Sequence, residues 1–141
     1  DLELSQENGS LTILRPDLSQ SGNDGGLCVL ASHEKYDILV TGDLSRNAEY
    51  RLLSRCDLEN IELLVAGHHG AETSTSEALL KRTGAASVVI SVGADNSYGH
   101  PAPTALARMQ ASGADIYRTD TLGTIVIRGG SYGKKTDGAN S

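Results

Sequence analysis

Leu63-Leu64-Val65-Ala66-Gly67-His68-His69-Gly70 decides how the chain reads. An apolar run ends in glycine, a pair of histidines and a second glycine. Such a run reads as a buried strand, and a strand that stops at histidine sets an imidazole at a sheet edge, where α/β folds bind ligands. Glycine on either side lets backbone and ligand come close. The same design precedes it in Ile38-Leu39-Val40-Thr41-Gly42-Asp43, which ends in a carboxylate. It follows again in Val88-Val89-Ile90-Ser91-Val92-Gly93, which leads to Tyr98-Gly99-His100-Pro101. The strand ends thus carry Asp43, His68-His69 and His100, an oxygen and nitrogen donor set suited to Zn or Mn. These positions lie far apart in sequence and meet only through folding. Neighbouring residues on a strand point to opposite faces. One of His68 and His69 therefore reads as a ligand, and the other as a substrate contact or a support.

Composition sets the frame. With 141 residues, 38% of them hydrophobic and 21% charged, the chain reads as one globular domain with a real core. No apolar run approaches the roughly 20 residues that span a bilayer. Asp1-Leu2-Glu3 is acidic where a secretory leader is basic, so the expectation is a cytosolic chain or a piece of a larger one. A net charge of −6 argues against a broad electrostatic grip on nucleic acid, but not against a phosphodiester held through metal ions. Cys28 and Cys56 lack Cys-x-x-Cys spacing and read as small buried apolar residues. With no Trp or Phe, stacking on bases falls to the five tyrosines or to arginine.

Outward from the histidine stretch, the elements fall into place. Leu2 to Ser5 and Leu11 to Leu14 form a hairpin around Asn8-Gly9, a strong turn signal, and the hairpin is expected to cover part of the inner sheet face. Leu27 to Ser32 and Tyr36 to Thr41 are strands around a turn at His33-Glu34-Lys35, which leaves His33 in solvent. Leu44 to Arg55 has helical spacing, with Asp43 or Ser45 as its cap. Asp43 is thus either a plain helix cap or a ligand, and the matching strand end at His68 favours the ligand. Ile61 to Ala66 is the strand before the histidines. Ser74 with Glu77 has capping-box spacing for a helix that Thr83-Gly84 closes. The competing reading of those hydroxyls is an anion held beside a metal at the helix N-terminus. Ala86 to Val92 is a strand covered on both faces, Pro103 and Thr104 open a helix that Gly113 ends, and Ile116 to Arg118 and Thr124 to Ile127 are the last strands, with Thr124 to Ile127 expected in the same sheet as the others. Residues 1–130 read as the domain and Ser131 to Ser141 as a flexible tail.

Together these residues carry a resemblance. Thr41-Gly42-Asp43, His68-His69-Gly70 with Thr73 to Ser76, Ser91-Val92-Gly93, Asn96, Tyr98-Gly99-His100-Pro101, and Arg118-Thr119-Asp120 with Gly123 resemble the C-terminal part of the metallo-β-lactamase-like domain of the ComEC family. These are bacterial competence proteins for DNA internalisation, and the likeness runs from about Asn8 to Ile127. It implies an α/β fold, the C-terminal half of an αββα sandwich, with a mixed sheet and helices on its outer face. It implies part of a metal-dependent hydrolase, a phosphodiesterase or nuclease acting on DNA during uptake, specifically on the strand that is not imported. Asp43 would bridge two metals and His68 would complete one of them, with metal-assisted attack on phosphorus. His69 and His100 are the implied catalytic residues, and Ser74, Asn96 and Tyr98 the implied substrate contacts.

The sequence also departs from the family pattern. The His-x-His-x-Asp-His motif that opens the family's metal site occurs nowhere in it. The histidine that many relatives place before the Thr-Gly-Asp strand would fall near Asn23-Asp24-Gly25-Gly26, where there is none, and Ala71 stands where many carry serine. The expectation is a divided domain. Its divalent metal, Zn or Mn, belongs to the complete site, and this chain alone holds an incomplete one. The expected partners are DNA, the N-terminal half of the domain, membrane-channel segments and, for the isolated chain, a second copy. The expected location is extracytoplasmic, as a domain of a cell-membrane protein. Two other classes fit the same residues: a non-catalytic module that binds nucleic acid or a partner, and a metallo-hydrolase for small esters or phosphoesters.

Overall fold

A computed structural model describes residues 1–15, 19 and 21–128, and the backbone of 135–138. The strands are β1 (Leu2–Gln6), β2 (Gly9–Leu14), β3 (Cys28–His33), β4 (Tyr36–Val40), β5 (Leu63–Val65), β6 (Ser87–Ile90), β7 (Asp115–Arg118), β8 (Ile125–Arg128) and β9 (Lys135–Gly138). The helices are α1 (Arg46–Arg55), α2 (Glu77–Thr83), α3 (Pro103–Ala111) and the single turn α4 (Thr119–Leu122).

Strands β1 to β7 form one mixed sheet in sequence order. The pairs β1–β2, β2–β3 and β3–β4 are antiparallel, and β4–β5, β5–β6 and β6–β7 are parallel. Each parallel step crosses over through one of α1, α2 and α3. Right-handed crossovers that all advance in the same direction set their helices on the same face. The core confirms it: Leu44, Ala48 and Leu52, Leu79 and Leu80, and Ala105 and Met109 pack with Cys28, Leu39, Leu64, Val88 and Ile90 of the sheet.

Among the described residues the opposite face carries no comparable helix-covered core. Register carries a row across all seven strands, Leu2, Ile13, Val29, Val40, Val65, Val89 and Tyr117. A parallel row holds Leu4, Leu11, Ala31, Ile38 and Leu63. Leu2 and Leu4 are 55% and 58% exposed, and most of the central valines and isoleucines keep partial exposure.

Three expectations change. The early hairpin does not fold over a sheet face. Its second strand bonds β3 from Leu14↔Cys28 to Gly9↔His33, so it extends the sheet sideways. Thr124 to Ile127 does not join the main sheet. After β7 the chain turns through α4 and the positive-φ Gly123, and β8 pairs with β9 in a separate two-stranded sheet. The strand expected to reach Val92 stops at Ile90, because the Thr119 hydroxyl accepts from Val92 N (2.7 Å) and donates to Val92 O (2.8 Å), taking the place of ladder bonds. Pro16 and most of the segment read as a tail lie outside the described residues. Among the described residues no helix is long and apolar enough to cross a membrane.

Candidate functional site

The parallel strands β4 to β7 end along one edge, and the loops that leave them carry nearly every residue singled out from the sequence. Asp43 follows β4, His68 and His69 follow β5, the 91–100 loop follows β6, and Thr119-Asp120 follows β7. This is the edge where α/β sheets bind ligands.

The histidine pair does not sit on the strand. Strand β5 stops at Val65, and His68 (φ 49°) and His69 (φ 56°) are both in the left-handed region. Such residues cost roughly 1–3 kcal/mol each unless neighbours fix them. Here Gly67 N donates to Thr75 Oγ1 (2.9 Å), His68 N to Gly42 O (3.0 Å) and Ala71 N to His68 O (3.0 Å). The glycines make the approach possible. A Cβ on Gly70 would lie 2.7 Å from the Pro101 side chain, and one on Gly67 would lie 3.1 Å from Thr41 Oγ1. Thr41 is fully buried and its hydroxyl has no partner among the described residues.

This turn gathers the imidazoles. The His68 ring centre lies 5.8 Å from that of His100 and 6.5 Å from that of His69. His69 Nδ1 lies 2.7 Å from Ser91 O. A carbonyl can only accept, so that nitrogen carries the proton, and Nε2 of the neutral ring keeps a lone pair. His100 Nδ1 is shut off from solvent and has no hydrogen-bond partner among the described residues. Asp43 is exposed and does not cap α1: Ser45 does, accepting from Ala48 N. The cap reading of Asp43 is thereby removed, and its carboxylate is left on the loop whose Gly42 carbonyl holds His68.

Two imidazoles on one tetrahedral zinc, with Zn–N bonds of about 2.0–2.1 Å, have ring centres roughly 5–6 Å apart. The His68–His100 spacing of 5.8 Å fits that geometry. Among the described residues, however, no group of three His, Cys, Asp or Glu side chains is close enough to hold an ion.

The other sequence candidates divide. Ser74 is buried and its hydroxyl donates to Leu44 O (2.7 Å), which ties the loop before α2 to the loop before α1. It does not cap α2. Ser76 does, accepting from Leu79 N, because Thr75 turns into the left-handed region (φ 51°) and delays the helix. Asn96 spends its amide within its own loop, donating to Gly93 O (2.8 Å) and His100 O (2.7 Å) and accepting from His100 N (2.9 Å). Tyr98 is 81% exposed and stacks on His100, with ring centres 6.0 Å apart and planes 19° apart.

Sequence reasoning missed Glu49 and Arg108. Glu49 is fully buried in α1 and accepts from Thr75 N (2.5 Å) and Ser76 N (2.8 Å). Arg108 of α3 donates to Thr75 O, Ser74 O and Glu72 O. Together they grip both polarities of the 72–76 backbone, and Thr75 passes that grip to Gly67. Burial pushes the Glu49 carboxyl above its ordinary range, against the bonds from Ser76 and Thr75 and the charge of Arg108. One signal was available: Glu49 falls three and four positions before Leu52 and Leu53, on the apolar side of the helix.

No family model matches the chain. It is 35% identical over 126 residues, 86% of its length, to competence protein ComA of Neisseria gonorrhoeae. It is 32% identical over 90 residues, 64% of its length, to ComE operon protein 3 of Bacillus subtilis. It is 29% identical over 110 residues, 78% of its length, to recombination protein 2 of Haemophilus influenzae. The chain spans only 12% to 18% of the length of these relatives. At this modest identity, the three relatives point to the competence proteins of the ComEC family.

Proposed function

We propose that the chain is part of a metal-dependent hydrolase domain of metallo-β-lactamase-like architecture, a phosphodiesterase or nuclease acting on DNA during its uptake. One observation carries the reading: at the C-terminal edge of the parallel strands the His68 ring lies 5.8 Å from that of His100 and 6.5 Å from that of His69. The carboxylate of Asp43 sits on the adjoining loop. The competence relatives supply the DNA. Asp43 and His68 are the residues that would hold a divalent cation, Zn or Mn, with His100 beside His68. A bound cation would supply Lewis-acid stabilisation of the phosphoryl oxygens. His69, with Nδ1 pinned by Ser91 O, offers Nε2 to take or hold a proton at the mouth of the site. The 72–76 segment, held by Glu49 and Arg108, fixes the turn on which both histidines ride. The remaining ligands would come from the other half of the domain, and the same reading sets the domain on the outer side of a bacterial membrane.

The test is cleavage of DNA by the full-length protein in the presence of Mn or Zn. His68→Ala should abolish cleavage while leaving the circular dichroism spectrum unchanged. DNA binding without cleavage in the unsubstituted protein would make the chain a non-catalytic module instead.

A further inference from the structure

Resting on the nuclease reading, we propose that the cleft beside His69 and His100 is a nucleobase subsite, taking an unpaired base next to the scissile phosphate. The cleft has a volume of about 320 Å³ and is walled by His69, Val92, Gly93, Tyr98, His100 and Thr119.

Its most exposed wall is aromatic. Tyr98 leaves 81% of its surface in water, and its ring lies stacked against His100. The loop that carries it is braced at both ends: by the three hydrogen bonds of Asn96 to Gly93 and His100, and by the Thr119 hydroxyl on Val92 N and O. An aromatic already fixed in its binding pose loses little freedom when a second ring lies on it. The free face of Tyr98 therefore offers a stacking platform that needs no rearrangement.

Two further observations choose the ligand. The chain carries a net charge of −6, so it has no broad electrostatic grip on the phosphate backbone, and contacts to bases gain weight. His100 takes one face of Tyr98 by its stack, which leaves the opposite face for a base. A base inside a duplex has both faces covered by its neighbours and cannot lie on Tyr98. The occupant is therefore a base of single-stranded DNA or an unpaired terminal base.

The experiment is fluorescence anisotropy of this chain with three end-labelled probes at low salt: a single-stranded oligothymidylate, an abasic strand of equal length, and a blunt duplex. The oligothymidylate should bind more tightly than the other two. Tyr98→Leu should weaken that binding about 5- to 150-fold, the loss expected for one stacked base, while Tyr98→Phe binds as the unsubstituted chain does. Equal affinity for the abasic strand, no effect of Tyr98→Leu, or no binding of the oligothymidylate would each overturn the subsite. Metal-dependent cleavage by the full-length protein, measured separately, keeps the two ideas apart. Cleavage without base preference removes only the subsite, and base preference without cleavage removes the nuclease.

Discussion

Glu49→Gln tests how the site is held. The unsubstituted carboxylate satisfies two buried donors, Thr75 N and Ser76 N, one with each oxygen. Glutamine has nearly the same volume but only one acceptor atom, so its amide nitrogen would face one of the two N–H groups. A buried donor left unpaired costs about 1–3 kcal/mol. With a urea slope of about 2 kcal/mol/M, a loss of about 2 kcal/mol lowers the unfolding midpoint by about 1 M. The assay is urea unfolding followed by circular dichroism at pH 8. A second readout reaches the site. Gly67 N bonds Thr75 Oγ1, so loosening Thr75 should speed hydrogen exchange at the Gly67 amide. The pH dependence has a definite sign. Burial raises the Glu49 carboxyl, so between its ordinary value and the raised one the folded chain keeps a proton that the unfolded chain has released. Stability from this group therefore falls as pH rises through that window, and Glu49→Gln should remove that slope. An unchanged urea midpoint together with unchanged exchange at Gly67 would mean that Glu49 does not hold the 72–76 segment.

Other outcomes follow from the same geometry. The isolated chain should bind divalent metal weakly, because Asp43, His68 and His100 are too few donors for two ions; micromolar binding of two Zn or Mn per chain by calorimetry would contradict this. Gly70→Ala should lower the thermal midpoint, since its Cβ would fall 2.7 Å from the Pro101 side chain at a φ of +80°; an unchanged midpoint would mean that the histidine turn and the 91–100 loop are not in close contact. The uncovered apolar face of the seven-stranded sheet should drive the isolated chain into a two-fold dimer, and Val40→Lys should dissociate it. Light scattering that gives a monomeric mass at high concentration would count against that dimer.

Local signals were legible. Asn8-Gly9 marked the first hairpin and Gly84, in the left-handed region, the end of α2, and Ser45 was one of two residues, with Asp43, offered for the start of α1. The apolar runs placed β3 to β6, and the loops after β4, β5 and β6 bring Asp43, His68-His69 and His100 to the same edge. Long-range effects were not legible. Ser74 has the spacing of a cap, but Ser76 takes that role because Glu49 and Arg108, both distant in sequence, draw Thr75 into an unusual backbone. Period-two alternation told that β2 is a strand but not whether it would extend the sheet or cover it. The histidines were read as a strand end with opposed side chains. In the folded chain, two left-handed residues between glycines bring the rings within 6.5 Å.

If Asp43 and the histidine cluster serve a metal-dependent attack on a phosphodiester, as proposed, the decisive quantity is the rate of single-stranded DNA hydrolysis by the full-length protein. It is titrated with Mn after chelator treatment, for the unsubstituted form and for Asp43→Ala. Cleavage should be saturable and metal-dependent, and Asp43→Ala should abolish it with no change in fold. Cleavage that persists in chelator, or that survives Asp43→Ala at the unsubstituted rate, would rule out the metal role of Asp43.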